Sequence, residues 1–268
     1  MNRFRILSSG FIIFTMIFFT SCNKDGGGIN IFSVEDDKQL GLQMQQEIQG
    51  HPAEYPLLSE SLYPESYQHI RGVKDAILAT GEVAFDTEFE WAVHIIRDDS
   101  VLNAFCTPGG YIYFYTGLIK FLDNDAEFAG VMGHEMAHAA RRHSTQQMTT
   151  AYGIQVLLSV VLGENPALLA QMAADLAAGV AALAFSRNDE YDSDEYSVRY
   201  LYKTTYDARG VAGFFEKMTG SQQPPEFLST HPNPDNRVEK IHELWLELGG
   251  KEGNEYPEEY LAFKNTLP

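Results

Sequence analysis

The sequence predicts a predominantly helical α+β domain in which a small antiparallel sheet lies beside one central helix. Three observations predict it. Apolar residues recur at helical spacing before residue 80 and after residue 123, and between residues 89 and 115 they alternate with period two. The first helix after the alternating region carries Gly133-His134-Glu135-Met136-Ala137-His138. The 268 residues, 44% of them hydrophobic, suffice for one large domain with appendages and a buried core.

The amino terminus reads as a targeting segment. Arg3 and Arg5 precede an apolar run from Phe11 to Phe19, which ends in Thr20-Ser21-Cys22. Small residues directly before a cysteine resemble a bacterial lipobox, with cleavage before Cys22 and acylation of that cysteine. The apolar run is shorter than the ~20 residues a membrane-spanning helix needs, which argues against an uncleaved anchor. The expected division is a signal peptide over 1–21, a flexible tether over 22–34 containing Gly26-Gly27-Gly28, and one domain over 35–268. Only two cysteines exist, so lipid on Cys22 leaves Cys106 without a disulfide partner, as a small buried hydrophobe. The formal charge is −18, and removing two Arg with residues 1–21 makes it 17 − 37 = −20. Such an acidic chain argues against nucleic acid or an anionic membrane surface as a binding partner.

Helical signals begin near Glu35, with Ser33 as cap and Gly50 as stop. Residues 51–64, with Pro52, Pro56 and Pro64, read as a loop, and a second helix from Glu65 to Thr80 buries Ile70, Val73 and Ile77. Phe89, Trp91, Val93 and Ile95 form one face of a strand that leaves His94 a strand-face residue. A second strand covers Val101–Cys106, Pro108-Gly109-Gly110 turns the chain, and Tyr111–Tyr115 is a third, completing an antiparallel meander. Asp123 or Asn124 caps a helix that runs through the two histidines to about His143, with Phe128, Val131 and Met132 on its inner face. Two apolar stretches follow, Ile154–Leu162 and Leu168–Phe185, separated by Gly163-Glu164-Asn165-Pro166 and read as packed helices. Pro224 to Pro234 is a proline-rich loop leading into a helix capped by Asn233, with Pro234 in its first turn.

Residues four apart on a helix lie about 40° apart around its axis, so His134 and His138 share one face and can take two corners of a tetrahedral zinc site. Glu135 sits beside them, aimed at the position of a metal-activated water. His143, five residues past His138 and about 140° round a continuous helix, is outside that site. A third ligand has to come from elsewhere. Six residues after His138 stands Ser144, which excludes a third histidine at the metzincin spacing. The acidic stretch Ser186–Asp194 offers Glu190 and Asp194 on one helix face, the first able to bind metal and the second to accept the outer N–H of a ligating histidine. Spacing alone does not single out Glu190 from its acidic neighbours.

Four motifs in order resemble the HtpX-like and CAAX-prenyl-protease-like zinc metallopeptidases, family forty-eight of the metallopeptidases. They are Asn103-Ala104-Phe105 with Pro108-Gly109-Gly110, the His134–His138 motif, Ser186-Arg187 with Glu190-Tyr191 and Asp194, and Ser229-Thr230-His231-Pro232 with Arg237. Ser193 stands where the family usually has Ala. The resemblance implies a zincin-type metallopeptidase domain with one zinc held by His134, His138 and Glu190, Glu135 as general base and then acid, and Asp194 supporting a ligand. It also implies a place in the active site for His231 and Arg237, as oxyanion stabilisers or, for His231, as a fourth zinc ligand that must move.

The expected substrate is an extended peptide added to the sheet edge at Asn103, Ala104 and Phe105. Backbone pairing reads little sequence, so unfolded or misassembled proteins are the expected substrates. With lipid on Cys22 as membrane anchor, the chain is expected in the bacterial cell envelope, facing the periplasm from the outer membrane. A chaperone-like or assembly lipoprotein with a latent or structural zinc site is the alternative, and a zinc amidase acting on cell-wall peptides is another.

Overall fold

The computed structural model describes residues 29–178, 185–219, 227–232 and 236–268. The signal segment, Cys22, most of the tether and the Asn233-Pro234 cap lie outside the described residues. The helices are α1 (Val34–Gly50), α2 (Pro64–Leu78), α3 (Thr116–Phe121), α4 (Asp125–Ala140), α5 (His143–Tyr152), α6 (Ile154–Val161), α7 (Pro166–Ala178), α8 (Arg187–Tyr202), α9 (Gly210–Thr219), α10 (Phe227–Thr230), α11 (Arg237–Glu247) and α12 (Pro257–Lys264), and the strands are β1 (Ala92–Ile96), β2 (Ala104–Thr107) and β3 (Tyr111–Tyr115). The expectation of a predominantly helical domain with one small sheet is met.

The main core packs around α4, while α1, α6 and α7 form a second, smaller core. Asn124 caps α4, its side-chain oxygen accepting from the Glu127 amide at 2.9 Å. The sequence predicts one inner face, yet all sixteen residues are buried. The reason is composition. Ala126, Ala129, Gly130, Gly133, Ala137, Ala139 and Ala140 are small enough for neighbours to close in on every side, with α8 and α9 the main ones. A Cβ on Gly130 would stand 2.2 Å from the Val211 backbone nitrogen of α9, and the Ser197 hydroxyl of α8 donates to the Gly130 carbonyl at 2.7 Å.

The sheet corrects the expected antiparallel meander. Its order is β1-β3-β2, with β3 antiparallel to β2 but parallel to β1. Ile112, Tyr113 and Phe114 of β3 are wholly buried, so this strand, apolar on both faces, takes the centre and the chain from β1 crosses to the far edge before returning. Gly109 and Gly110 make the return with φ of 77° and 85°, a region other residues rarely adopt. β1 is shorter than expected because Trp91 has φ 46° and turns out of the strand. Its outer side is covered by the 51–64 loop, where the Leu58 amide donates to the Ile95 carbonyl. β2 is left as the sheet edge.

The expected tether extends to residue 34, but its last residues are packed. Asn30 donates to the Thr145 hydroxyl at 2.9 Å, and Phe32 is buried against Leu40, Met44, Met148, Leu157 and Met172. Ser33 then caps α1 through a reciprocal bond pair with Asp36. Among the described residues no helix is long and apolar enough to cross a membrane.

Gly130→Ala should force α9 away from α4, at about 1–3 kcal/mol for an overpacked core. At ~2–4 °C per kcal/mol for a chain of this size, thermal unfolding should show a drop of several degrees. Gly72→Ala on the exposed face of α2, where a Cβ meets nothing within 4 Å, should leave the midpoint unchanged or raise it.

Candidate metal centre

Helix periodicity brings His134 and His138 together on α4, with their Nε2 atoms 3.0 Å apart. Ser186 starts α8 with a capping box through Asp189, which fixes the first turn that carries Glu190. The Glu190 carboxylate lies 3.5 Å from Nε2 of both histidines. His231 follows α10, whose start is tied to the strand side of the domain by the Phe227 amide donating to the Leu102 carbonyl. Its Nδ1 is 3.1 Å from Glu190 Oε1 and 3.3 Å from His134 Nε2. The four residues are buried, and their ligand atoms all lie within 4.8 Å of one another.

This donor set fits zinc. Four N or O ligands at ~2.0–2.1 Å in a tetrahedron stand about 3.3 Å from one another. The separations of neighbouring donors, 3.0–3.5 Å, match that edge. One zinc per chain is the cofactor these residues can hold.

The charges around the cluster are matched. With Nε2 turned inward, His134 donates from Nδ1 to Asp194 Oδ1 at 2.9 Å. Asp194 accepts in turn from Arg237, Nε at 2.9 Å and Nη2 at 2.7 Å, and the same guanidinium reaches Glu190 Oε2 at 3.4 Å and stacks on Phe215. Burial pulls the His134 imidazolium down, but hydrogen bonds to Asp194 and Glu190 outweigh it and hold the pKa up at about 9. For His138 burial wins, and its pKa falls well below the usual histidine range. Burial pushes the Glu190 carboxyl up, and the surrounding histidines, His231 foremost, bring it well below the usual carboxylate range.

Glu135 is fully buried, and neither carboxylate oxygen has a hydrogen-bond partner among the described residues. Its pKa is raised by burial, against the opposing pull of His231 and His134. His231 Nε2, itself without a hydrogen bond, is 3.5 Å from Glu135 Oε1. The Cys106 thiol on β2 is pushed well up by burial and then by the Glu135 charge. Asn103, Ala104 and Phe105 lie along the sheet edge; Asn103 Oδ1 is buried without a partner, and the Phe105 ring stacks on Tyr113 at 4.7 Å.

Some neighbours were not foreseen. Phe185 stacks on His138 at 3.9 Å and Phe227 on His231 at 4.2 Å, so both imidazoles are held by a flat apolar ring. A lone phenylalanine far from the motif carries no sequence signal for that role. The larger surprise is His143. It is absent from the four-residue cluster, as expected, yet the helical argument for excluding it fails because α4 ends at Ala140. Arg142 adopts φ 60°, ψ 32°, and this left-handed residue swings His143 back until its Nδ1 is 3.0 Å from His138 Nδ1.

Comparison with known proteins agrees with this geometry. The chain is 28% identical over 168 residues to the putative beta-barrel assembly-enhancing protease of Vibrio cholerae, covering 58% of this chain and 34% of that relative. It is 27% identical over 219 residues to the beta-barrel assembly-enhancing protease of Escherichia coli, covering 77% and 43%. It is 25% identical over 221 residues to the mitochondrial metalloendopeptidase OMA1 of Schizosaccharomyces pombe, covering 81% and 63%. The chain thus spans less than two thirds of the length of these relatives. The profile of Peptidase family M48 matches residues 68–245, which include the whole cluster, and the chain belongs to that family.

Proposed function

We propose that this chain is a zinc-dependent endopeptidase of the bacterial cell envelope that cleaves misfolded or misassembled envelope proteins. The observation that carries the reading is Glu135, a buried carboxylate with no hydrogen bond to either oxygen among the described residues, beside a complete set of zinc ligands. A purely structural metal site has no need of such a group.

Zinc, when bound, polarises a carbonyl and brings the pKa of a water to about 7. The chain's own residues do the rest. Glu135 takes a proton at a carboxylate oxygen and passes it to the leaving amine, helped by a burial-raised pKa that narrows the gap between donor and acceptor. His134, His138 and Glu190 hold the metal, and Asp194 fixes the His134 ring. His231 fills the fourth corner of the donor set and represents a closed state; it withdraws to admit substrate, and its ring then donates to the oxyanion. Arg237 faces the carboxylates of Glu190 and Asp194 through Nε and Nη2, which supports a positioning role, and its buried Nη1, without a hydrogen bond among the described residues, is the donor it could offer an oxyanion.

The position of β2 as the outermost strand supports extended-peptide binding by strand addition at Asn103, Ala104 and Phe105, close to Glu135 through Cys106, once what buries that edge gives way. The names of the bacterial relatives support assembling outer-membrane proteins as the substrate class. The Thr20-Ser21-Cys22 motif, read as a site of acylation with the membrane as partner, supports a periplasm-facing place on the outer membrane. The alternative, a chaperone-like or assembly lipoprotein with a latent zinc site, is favoured by the one feature that His231 closes the site.

Two outcomes test the reading. Glu135→Gln should keep one zinc per chain while degradation of an unfolded model protein falls by about 10²–10⁴-fold. Equal inactivity of wild type and mutant, with His231→Ala also inactive, would support the chaperone instead. Separately, zinc at a hundredfold excess over its dissociation constant should stabilise the chain by about 2.7 kcal/mol, and chelation should lower the melting temperature accordingly.

A further inference from the structure

The two α4 histidines are supported differently, and the difference assigns a role to a residue outside the donor set. His134 gives its Nδ1–H directly to Asp194, which is held by Arg237. For His138, the atom facing Nδ1 is not a carboxylate oxygen but the Nδ1 of His143, at 3.0 Å. Two imidazole nitrogens that close require one N–H and one lone pair. Ligation through Nε2 leaves the hydrogen on His138 Nδ1, so His143 Nδ1 accepts, and its own hydrogen sits on Nε2. That nitrogen points at Asp192 Oδ2, 3.2 Å away, and Asp192 is gripped by Arg141 through Nε at 2.6 Å and Nη2 at 3.3 Å.

We infer that His143 is the positioning residue for His138, forming with Asp192 and Arg141 a second support that matches the Asp194–Arg237 pair under His134. Both carboxylates come from one helix, α8, two residues apart, and each ends on an arginine. The line has a fixed direction. Asp192 sets the hydrogen of His143 on Nε2, which presents a lone pair at Nδ1, which in turn keeps the His138 hydrogen away from the metal side. Ser193, through its hydroxyl 3.4 Å from the same Nδ1, closes the remaining side.

The backbone is built for this contact. Arg142 stands in the left-handed region, which costs a non-glycine residue roughly 1–2 kcal/mol. It is anchored by Nε on Asp37 of α1 and by Nη2 on the Phe32 carbonyl, both pairs buried. A straight continuation of α4 would carry residue 143 about 140° away from His138. The anchored turn brings it back.

The inference rests on the zinc site proposed above, and zinc affinity of the full chain, measured by chelator competition, tests both separately. Failure of the wild type to bind zinc sinks the site itself. With the wild type binding, His143→Ala should weaken affinity by about 10–100-fold, the loss expected for a supporting partner of a ligand histidine. His143→Asn, whose amide oxygen can lie where Nδ1 lies, should recover most of that loss, with the melting temperature of the metal-free protein alike in the two variants. Asp192→Asn preserves shape if the alanine variant fails to fold. It should also weaken zinc binding, and by less in the His143→Ala background than alone, since both act along one line. Unchanged zinc affinity in His143→Ala, no recovery by Asn, or full additivity with Asp192→Asn would overturn it.

Discussion

A helix buried on every side cannot carry two histidines and a glutamate unless surrounding elements match their polar atoms, because an unpaired buried charge costs several kcal/mol. The structure depends on that constraint. α8 supplies Glu190, Asp192 and Asp194 within five residues, and arginines from α4's end and from α11 neutralise them. The cluster is therefore not a decoration on a finished core. It is the polar half of the α4–α8 contact, whose apolar half sets Gly133 of α4 against Leu201 of α8.

The same constraint explains the outlying parts. α1 does not touch the donor set, yet its Asp37 holds Arg142 and through it the turn that ends α4. α10 is a single short helix, and its position beside β2 determines where His231 reaches. Phe185 and Phe227 limit the rotation of His138 and His231 by stacking, a constraint supplied by area without hydrogen bonds. Both Glu135 oxygens are left without a hydrogen bond among the described residues, as are His231 Nε2 and Arg237 Nη1. A buried carboxylate without partners is destabilising, and such a feature persists where chemistry uses it.

Where sequence reading and structure part, the reasons are specific. The period-two signal located three strands, but pairing direction is a non-local property, and β3's apolar faces drew it to the centre, between β2, its meander neighbour, and β1, which a meander keeps apart from it. The helical angle that separated His143 from His138 assumed a continuous helix. The break at Arg142 has no glycine or proline to announce it, because a contact with Asp37, 105 residues earlier, stabilises it. The motif that carries Arg237 was legible, but its contact with Asp194 and Glu190 was not, because it depends on how α11 packs against α8.

Some properties were settled by local chemistry. Spacing of four puts His134 and His138 on one face, Asn124 and Ser186 cap the helices that carry the donors, and Gly109-Gly110 turns the strand pair; each follows from the geometry of a few consecutive residues. Family resemblance in the motifs added Glu190 and His231 to that local reading. Only the tertiary structure decided that α4 is buried all round, that the sheet is mixed, that His231 closes the donor set and that His143 stands behind His138. Those depend on contacts between residues dozens of positions apart, whose energies arise only when the chain has folded.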